Sequence, residues 1–442
     1  MTARNALITR TALLFALLLS AARAPAQAPA PDPVPSVHPR LFATFPTPPA
    51  DLPFIPFNDA WPDRWPPNAD PNADAKGVII PLDNPAQFPE GYRSNAPSIT
   101  LPRDQRDVQA FTQHFPAARD QRFATAGPGK FLFAFPDPTD KPVPRARRNT
   151  AQAMFKFVSA QQETLDNQPI LILEHTWFAL YDPAPTTPHR GCALVSPGLL
   201  GTPPGTLNAL TSALRADGWT VLRMLCQPSR FTEEVTFHLD PAADLLPQAR
   251  RIAAVTGNRA AECAYAVEAA FAHVHTLRPA LEGLPRVAVG FSGGAMTLPT
   301  IIAREPHRYS AAIFVGGGAD FWLMNQRSSY KRLINAIHED WSAEPAPETL
   351  ARLDELYLRN APLDSYHTAA ALKNIPMLMI QGGSDLAVPA PLGDLLWERL
   401  GRPQRRIEDA GHEVLFMTLA RDSFPTMMNW LREAAPLPNP AP

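Results

Sequence analysis

The spacing of apolar and polar positions is most regular from residue 154 onward. Two apolar runs, MFKFVSAQQET from Met154 and ILILEHTWFALYDP from Ile170, flank a polar turn at 165–169. Long runs with β-branched and aromatic residues on either side of a turn predict an antiparallel hairpin. We expect this hairpin to open the sheet of the main domain.

Strands and helices alternate after the hairpin. The run CALVSPGLLG from Cys192 predicts a buried strand that ends in a glycine-rich loop. The following segment has an apolar helical face and stops at Gly218, and the run WTVLRMLC comes next. A strand, a helix and a strand in this order predict a parallel pair with a right-handed crossover.

The rest of the chain continues this alternation with two interruptions. We predict an irregular excursion over 227–256, a helix over 257–279 and a strand that begins at Arg286. After the next strand, a segment of about 55 residues with helical period is longer than ordinary connections, and such segments are usually functional. We interpret this segment, about 319–374, as a small helical cap. A strand at 375–380, a further helix and strand, and a helix near 424–433 follow.

The first 153 residues differ from this pattern. Residues 1–26 combine Arg4 and Arg10, the apolar run TALLFALLLSAA and small residues around Ala24 and Ala26, which predicts a secretory signal peptide. The apolar run is too short to span a bilayer, and a retained membrane anchor is the alternative. The chain is therefore expected to be secreted or periplasmic.

Prolines fill the next segment. Residues 27–75 lack so many backbone donors that they predict a tether, although their aromatic residues favour packing of the later half on the main body. Residues 76–153 contain short apolar pieces and form an extension whose fold the pattern leaves open, either a small β-rich unit or a cover.

Composition and charge narrow the functional classes. The chain has 442 residues, 45% of them hydrophobic, with a net charge of −2, which indicates a globular protein and gives no basic face for nucleic acid. Three cysteines cannot all pair, so a disulfide framework does not stabilise the fold. The oligomeric state is left open.

One motif carries the chemistry. Residues 286–302, RVAVGFSGGAMTLPTII, predict a strand, a sharp turn and a helix, with Ser292 at the apex. Gly290 and Gly294 allow the strand and the helix to approach closely at such a turn. The pattern G-x-S-x-G in this setting resembles the nucleophile elbow of the α/β-hydrolase family.

The resemblance implies a fold and a domain. We expect residues 154–436 to form an α/β-hydrolase domain with a mostly parallel central sheet flanked by helices, a small helical cap and a Pro-rich N-terminal extension. The resemblance also implies a Ser-Asp-His triad in that chain order. Asp385 follows the strand IPMLMI within QGGSDLAVP, and His412 follows the last strand within DAGHEVLF. Asp320, after the preceding strand, is the alternative acid.

The family mechanism also requires two backbone donors for the oxyanion. One is expected at Gly293, directly after the serine. The resemblance places the second at Leu199, although Pro197-Gly198 stands where the family usually has His-Gly. The exact second donor is therefore open.

These features predict a serine hydrolase, most directly a carboxylesterase, that cleaves small-molecule esters through an acyl-enzyme. No metal or organic cofactor, nucleic-acid partner or stable membrane insertion after signal removal is expected. His273 and His275 lie two residues apart on a helix, face different directions and cannot share one ion. A peptidase or lipase of the same fold, and a non-catalytic binding protein, are the alternatives.

The start of the insertion suggests a substrate contact. Phe321, Trp322, Leu323 and Met324 follow directly on a strand beside the elbow strand. We expect this cluster near the mouth of the site, where Trp322 contacts apolar esters. The alternative is that the cluster only packs the cap on the body.

Overall fold

The computed structural model describes residues 52–65, 76–81, 101–125, 151–334 and 336–436. The predicted signal peptide, residues 1–26, lies outside these ranges, as do 27–51 and 66–75 of the predicted tether.

The strands of the described residues are β1 (Gly77–Pro81), β2 (Phe123–Thr125), β3 (Ala153–Leu165), β4 (Gln168–Tyr181), β5 (Gly191–Ser196), β6 (Trp219–Met224), β7 (Val235–Leu239), β8 (Arg286–Phe291), β9 (Tyr309–Val315), β10 (Ile337–Trp341), β11 (Met377–Gly382) and β12 (Gln404–Glu408). The α-helices are α1 (Leu101–His114), α2 (Pro204–Ala216), α3 (Ser229–Thr232), α4 (Leu245–Leu277), α5 (Gly293–Arg304), α6 (Phe321–Arg327), α7 (Lys331–Ile334), α8 (Pro347–Asn360), α9 (Ser365–Thr368), α10 (Ala390–Arg399), α11 (His412–Asp422) and α12 (Phe424–Ala434).

A ten-stranded sheet forms the centre of the fold. Its strand order is β1-β3-β4-β6-β5-β8-β9-β11-β12, and β2 pairs with β4 outside this path. The hairpin β3–β4 is antiparallel, as predicted, with Leu165 opposite Gln168 at the turn. The strands from β6 to β12 pair in parallel. The predicted mostly parallel sheet flanked by helices is confirmed.

The parallel strands are buried on both faces. In β5, Cys192 and Leu194 belong to the core that contains α4, whereas Ala193 and Val195 belong to the core that contains α2 and α12. Alternate side chains of a strand point to opposite faces, so a strand covered by helices on both sides is apolar throughout. The continuous apolar runs in the sequence have this origin.

Helix α4 begins earlier than the sequence predicts. It starts at Leu245 instead of residue 257, and the side chain of Asp244 accepts a hydrogen bond from the Leu246 N–H at its start. Buried Ile252 and Ala253 continue the apolar face through the segment that we predicted to be irregular. Gly257, where the sequence predicts the helix to start, lies inside the helix. No helix in the described ranges, including α4, has the length and apolarity needed to cross a membrane.

Two separate segments meet above the sheet. Strand β7 in the excursion pairs in parallel with β10 in the insertion, with Val235 opposite Ile337 and Leu239 opposite Trp341. The predicted helical cap therefore also carries one strand. We use the term roof for the two segments 228–239 and 321–341.

The N-terminal segments pack on the central domain. Strand β1 continues the sheet beside β3, and β2 pairs with β4. Phe111 of α1 is fully buried in a cluster with Val158 and Leu171. Arg64, within the predicted tether, forms a buried ion pair with Glu262 at 3.0 Å. The described parts of the extension thus widen the sheet and cover its edge.

Candidate active site

Ser292 occupies the turn between β8 and α5. Its backbone has φ 49° and ψ −119°, a conformation that non-glycine residues rarely adopt and that is common at functional sites. The Ser292 N–H donates to the Val315 carbonyl oxygen at 2.8 Å, which anchors the turn to the adjacent strand β9.

Glycine is required on both sides of this turn. A Cβ atom at Gly290 would lie 2.7 Å from the Gly294 carbonyl oxygen, and one at Gly294 would lie 2.5 Å from the carbonyl oxygens of Ser196 and Pro197. Real Cβ atoms do not approach backbone atoms so closely. The two glycines of the motif therefore let the helix cross the strand ends tightly enough to present the serine.

His412 reaches the serine from the end of β12. It is the first residue of α11, and its Nε2 lies 2.8 Å from the Ser292 Oγ. The ring is 4% exposed and packs edge-on against Phe416 and Tyr330, with ring centroids at 4.6 and 5.5 Å. The Tyr330 hydroxyl donates to the Glu413 carboxylate, so a roof residue covers the histidine.

Asp385 holds the other side of the imidazole. Its Oδ2 lies 2.6 Å from the His412 Nδ1. Its Oδ1 accepts hydrogen bonds from the N–H groups of Ala387 and Val388 at 2.9 and 2.8 Å. An ionised carboxylate can only accept, so Nδ1 carries the proton and Nε2 keeps a lone pair toward the serine hydroxyl.

Asp320, the alternative acid, is engaged elsewhere. It is fully buried, its backbone has a φ of 67°, and its Oδ1 accepts from the Leu323 N–H at 2.9 Å as the N-cap of α6. Burial raises the pKa of its carboxyl well above the usual range, and the neighbouring Asp354 and Asp364 carboxyls raise this pKa further. A carboxyl in this environment favours its neutral form and does not meet His412.

Two backbone amides lie close together beside the serine. A Cβ atom at Gly293 would lie 3.1 Å from the Leu199 nitrogen, so the amides of Gly293 and Leu199 are close neighbours. Gly293 is the first residue of α5, where an N–H has no intrahelical acceptor. Neither amide has an acceptor within the ranges that the structure describes.

Buried side chains fix the loop that carries Leu199. The Gln227 Nε2 donates to the Pro197 carbonyl oxygen at 2.6 Å, and the Thr202 Oγ1 accepts from the Gly198 N–H at 2.9 Å. Cys263 Sγ lies 3.4 Å from the Gln227 Oε1 and orients the amide. Sequence analysis missed Gln227 and Thr202 because neither stands in a motif.

Each predicted triad residue follows a strand of the central sheet. From β3 onward the order is β3-β4-β6-β5-β8-β9-β11-β12, in which only β4 runs against its neighbours. Ser292 follows β8, Asp385 follows β11 and His412 follows β12. A serine on a strained strand-to-helix turn, followed along the chain by its acid and histidine, is the α/β-hydrolase arrangement. The chain has the α/β-hydrolase fold.

Comparisons with known proteins found similarity to solved structures at low sequence identity. No protein-family model and no curated protein sequence matches the chain. Among solved structures, Est1E from Butyrivibrio proteoclasticus is similar at 12% identity and a TM-score of 0.38, covering 62% of this chain and 98% of that chain. The esterase Pf2001 of Pyrococcus furiosus has 11% identity, a TM-score of 0.38 and coverage of 66% and 95%. The acylaminoacyl peptidase of Pyrococcus horikoshii has 11% identity, a TM-score of 0.39 and coverage of 66% and 48%.

Ser292 opens into a partly open cavity of about 90 Å³. Ser292, Gly293 and Leu199 lie at its floor, and residues of the roof and of α4 form its other walls. The lining is mostly apolar and includes Phe231, Met296, Phe321, Met324, Ile337 and Val388.

The insertion meets this cavity with only part of its apolar cluster. Phe321 and Met324 line the cavity. Trp322 is fully buried, is not part of the lining and packs edge-on against Phe237 of β7 with ring centroids 5.9 Å apart. The predicted substrate contact of Trp322 is therefore wrong, and this side chain packs the roof together.

Proposed function

We propose that the protein is a secreted or periplasmic serine hydrolase that cleaves small carboxylic esters through an acyl-enzyme and needs no metal or organic cofactor. The observation that carries this proposal is the continuous hydrogen-bonded chain from the Ser292 hydroxyl through His412 to Asp385. Two backbone donors lie beside that hydroxyl, and an apolar cavity opens above it.

Acylation begins at the serine. His412 Nε2 removes the hydroxyl proton as the Ser292 Oγ attacks the ester carbonyl carbon. The resulting imidazolium is stabilised by Asp385, whose second oxygen is held by the Ala387 and Val388 amides and cannot rotate away. The imidazolium then gives its proton to the leaving alcohol oxygen.

The oxyanion forms where the amides of Gly293 and Leu199 converge. Each such preorganised donor contributes about 3 kcal/mol to transition-state stabilisation. The N-terminus of α5 adds favourable potential for negative charge. Water, activated by the same histidine, then attacks the acyl-enzyme, the acid is released and Ser292 recovers its proton.

A fluorophosphonate probe tests the enzyme assignment directly. We expect one covalent adduct on the wild-type protein and none on Ser292→Ala. Ser328→Ala is the matched control, because Ser328 also lines the cavity but has no histidine partner among the described residues. Retained labelling of Ser292→Ala, or no labelling of wild type, contradicts the proposal, and the second result favours a non-catalytic binding protein.

Ester preference requires its own comparison. The wild-type protein should hydrolyse a 4-nitrophenyl ester of a short acid much faster than the 4-nitroanilide of the same acid. The acyl group is identical in the two substrates, so the ratio reports only the leaving group. A faster anilide reaction favours a peptidase, and a steep preference for long acyl chains favours a lipase.

Export is proposed from the N-terminal pattern alone. Arg4 and Arg10 precede the apolar run, and small residues follow it up to Ala26. Sequencing of the mature N-terminus should start at Gln27. An intact N-terminus on the mature protein contradicts this part of the proposal.

A further inference from the structure

Arg259 places a positive charge at the wall of the apolar cavity. Its side chain is 5% exposed and lines the same cavity as Ser292. It lies on α4, and Thr256, three residues earlier, lines the cavity too. Residues three apart share one face of a helix. This face of α4 therefore contributes a charged group to a mostly apolar wall.

The guanidinium is held at one end only. Its Nη2 donates to the backbone carbonyl oxygens of Glu233 at 2.6 Å and Ala336 at 3.4 Å. Its Nε is buried and has no acceptor in the described part of the chain. The Glu233 carboxylate pairs with Arg230 at 3.0 Å, and no described carboxylate lies within 4.0 Å of Arg259.

Arg64 is a buried arginine that, unlike Arg259, is paired with a carboxylate. Its buried guanidinium meets the Glu262 carboxylate at 3.0 Å. A buried charge that lacks a counter-ion is costly, and a charge-assisted hydrogen bond to a carboxylate removes much of this cost. Desolvation lowers the pKa of Arg259 to about 10, partly opposed by the Glu233 carboxylate, so the side chain stays charged at neutral pH.

The other cation at the cavity is already neutralised. Lys331 lines the same space but forms an ion pair with Glu339 at 2.8 Å. Most of the remaining lining is apolar. A ligand that suits these walls has an aliphatic segment next to the reacting carbonyl and a negative charge beyond it.

We propose that Arg259 binds a carboxylate carried by the substrate, so that the preferred substrates are esters with a free carboxylate at the end of a short aliphatic chain. This inference rests on the proposed ester hydrolysis at Ser292. Such a substrate leaves its aliphatic part against the apolar walls and brings its charge to the one cavity cation that lacks a counter-ion within the described residues.

Arg259 also joins the two segments of the roof through its carbonyl partners. A purely structural role predicts that its replacement weakens the hydrolysis of all esters alike. A carboxylate-binding role predicts a change in the preference between charged and neutral esters. The ratio of kcat/KM values for a matched pair of substrates therefore separates the two roles.

The test compares esters of equal length with and without a carboxylate. Monomethyl adipate and methyl hexanoate form the pair with the charge on the acyl side, and 4-acetoxybutanoate and butyl acetate form the pair with the charge on the alcohol side. In the wild-type protein at low salt, the charged member of one pair should have a kcat/KM value about 10- to 100-fold above its neutral partner, the range expected for a buried charge-assisted hydrogen bond.

Variants then assign this preference to the side chain. Arg259→Met should lower the charged-to-neutral ratio by about 10- to 100-fold, mainly through KM, because the lost contact is shared by substrate and transition state. Arg250→Met is the matched control, because Arg250 is an exposed arginine of the same helix that does not line the cavity, and it should keep the wild-type ratio. Thermal unfolding shows whether the Arg259→Met protein is folded. If it is not, the kcat/KM ratios of the wild-type protein test the proposed carboxylate preference.

Binding to Ser292→Ala separates this inference from the proposed function. Calorimetry should give a lower dissociation constant for monomethyl adipate or 4-acetoxybutanoate than for its neutral partner. This result is expected whether or not the wild-type protein cleaves esters. The role of Arg259 is overturned if charged and neutral ligands bind equally or if the wild-type ratios are equal in both pairs. It is also overturned if a folded Arg259→Met protein keeps the wild-type ratio. Absence of ester hydrolysis with retained carboxylate preference in binding overturns only the proposed function.

Discussion

The floor and the roof of the cavity are built in different ways. In the floor, Ser292 and Gly293 follow β8 and Leu199 follows β5. Behind the floor, His412 after β12 contacts Ser292 and Asp385 after β11 contacts His412. The roof consists of two segments about a hundred residues apart in sequence, joined by the pairing of β7 with β10. We infer that reaction chemistry depends on the floor and substrate choice on the roof and α4.

The clearest test of the floor removes its reacting groups. Ser292→Ala and His412→Ala should each lower kcat for a short-chain ester by about 10⁶-fold, and the double variant should be no worse, because the two residues act as one unit. Steady-state kinetics with active-site titration measures the loss. Circular dichroism should show an unchanged fold. Turnover near the wild-type value in either variant contradicts the assignment.

The second prediction concerns the acid. Asp385→Asn should lower kcat by about 10⁴-fold, because an amide in this position favours the wrong tautomer of His412. Asp320→Asn should have a far smaller effect, since asparagine can still cap α6. The two variants change the same carboxyl to the same amide. If their ranking in kcat is reversed, Asp320 is the acid.

The third prediction separates packing from substrate contact within the roof. Trp322→Ala should lower the free energy of unfolding by about 3 to 5 kcal/mol, because it leaves a cavity against Phe237. Phe321→Ala should instead raise KM for apolar esters by about tenfold with little change in kcat, since Phe321 lines the cavity.

Denaturant unfolding and ester chain-length profiles distinguish these two variants. Trp322→Ala should keep the wild-type chain-length profile wherever it remains folded. A shifted chain-length profile in Trp322→Ala with unchanged stability would show that Trp322 contacts the substrate.

The fourth prediction concerns the pH dependence of stability and the buried carboxyl of Asp354. The pKa of Asp354 is raised to about 7, mainly by desolvation and also by the Asp364 carboxyl, while Asp320 and Arg327 lower it. The folded protein therefore holds a proton that the unfolded chain releases above its ordinary pKa near 3.8. Stability should fall as the pH rises from about 4 to about 7.

Asp354→Asn should flatten this pH dependence, whereas Asp394→Asn, which alters a half-exposed carboxylate, should leave it unchanged. Chemical denaturation at a series of pH values gives the free energy of unfolding for each protein. Parallel curves for wild type and Asp354→Asn would show that Asp354 does not hold the extra proton in the folded protein. Each unit of difference between the folded and unfolded pKa corresponds to about 1.4 kcal/mol across the range.

The sequence by itself determined the floor. The strand, the turn and Gly290 are local features, because a Cβ atom at Gly290 would meet Gly294 and Ala295. Gly294 instead faces the carbonyl oxygens of Ser196 and Pro197, which a distant strand end supplies. The apolar runs determined the sheet, since a strand covered on both faces is apolar at every position. Asp385 and His412 were identified by their places after the last two strands.

Only the tertiary structure decided the roof. Helix α4 extends back to Leu245 because its early turns bury Ala249, Ile252 and Ala253, and Asp244 caps its start. The pairing of β7 with β10 joins segments that no local pattern connects. The partners of Arg259 and Gln227, and the burial of Trp322, depend on which distant surfaces meet. The spacing of apolar residues indicates whether a single segment is a helix or a strand. Contacts between elements decide which side chains are buried and which charged groups have a partner.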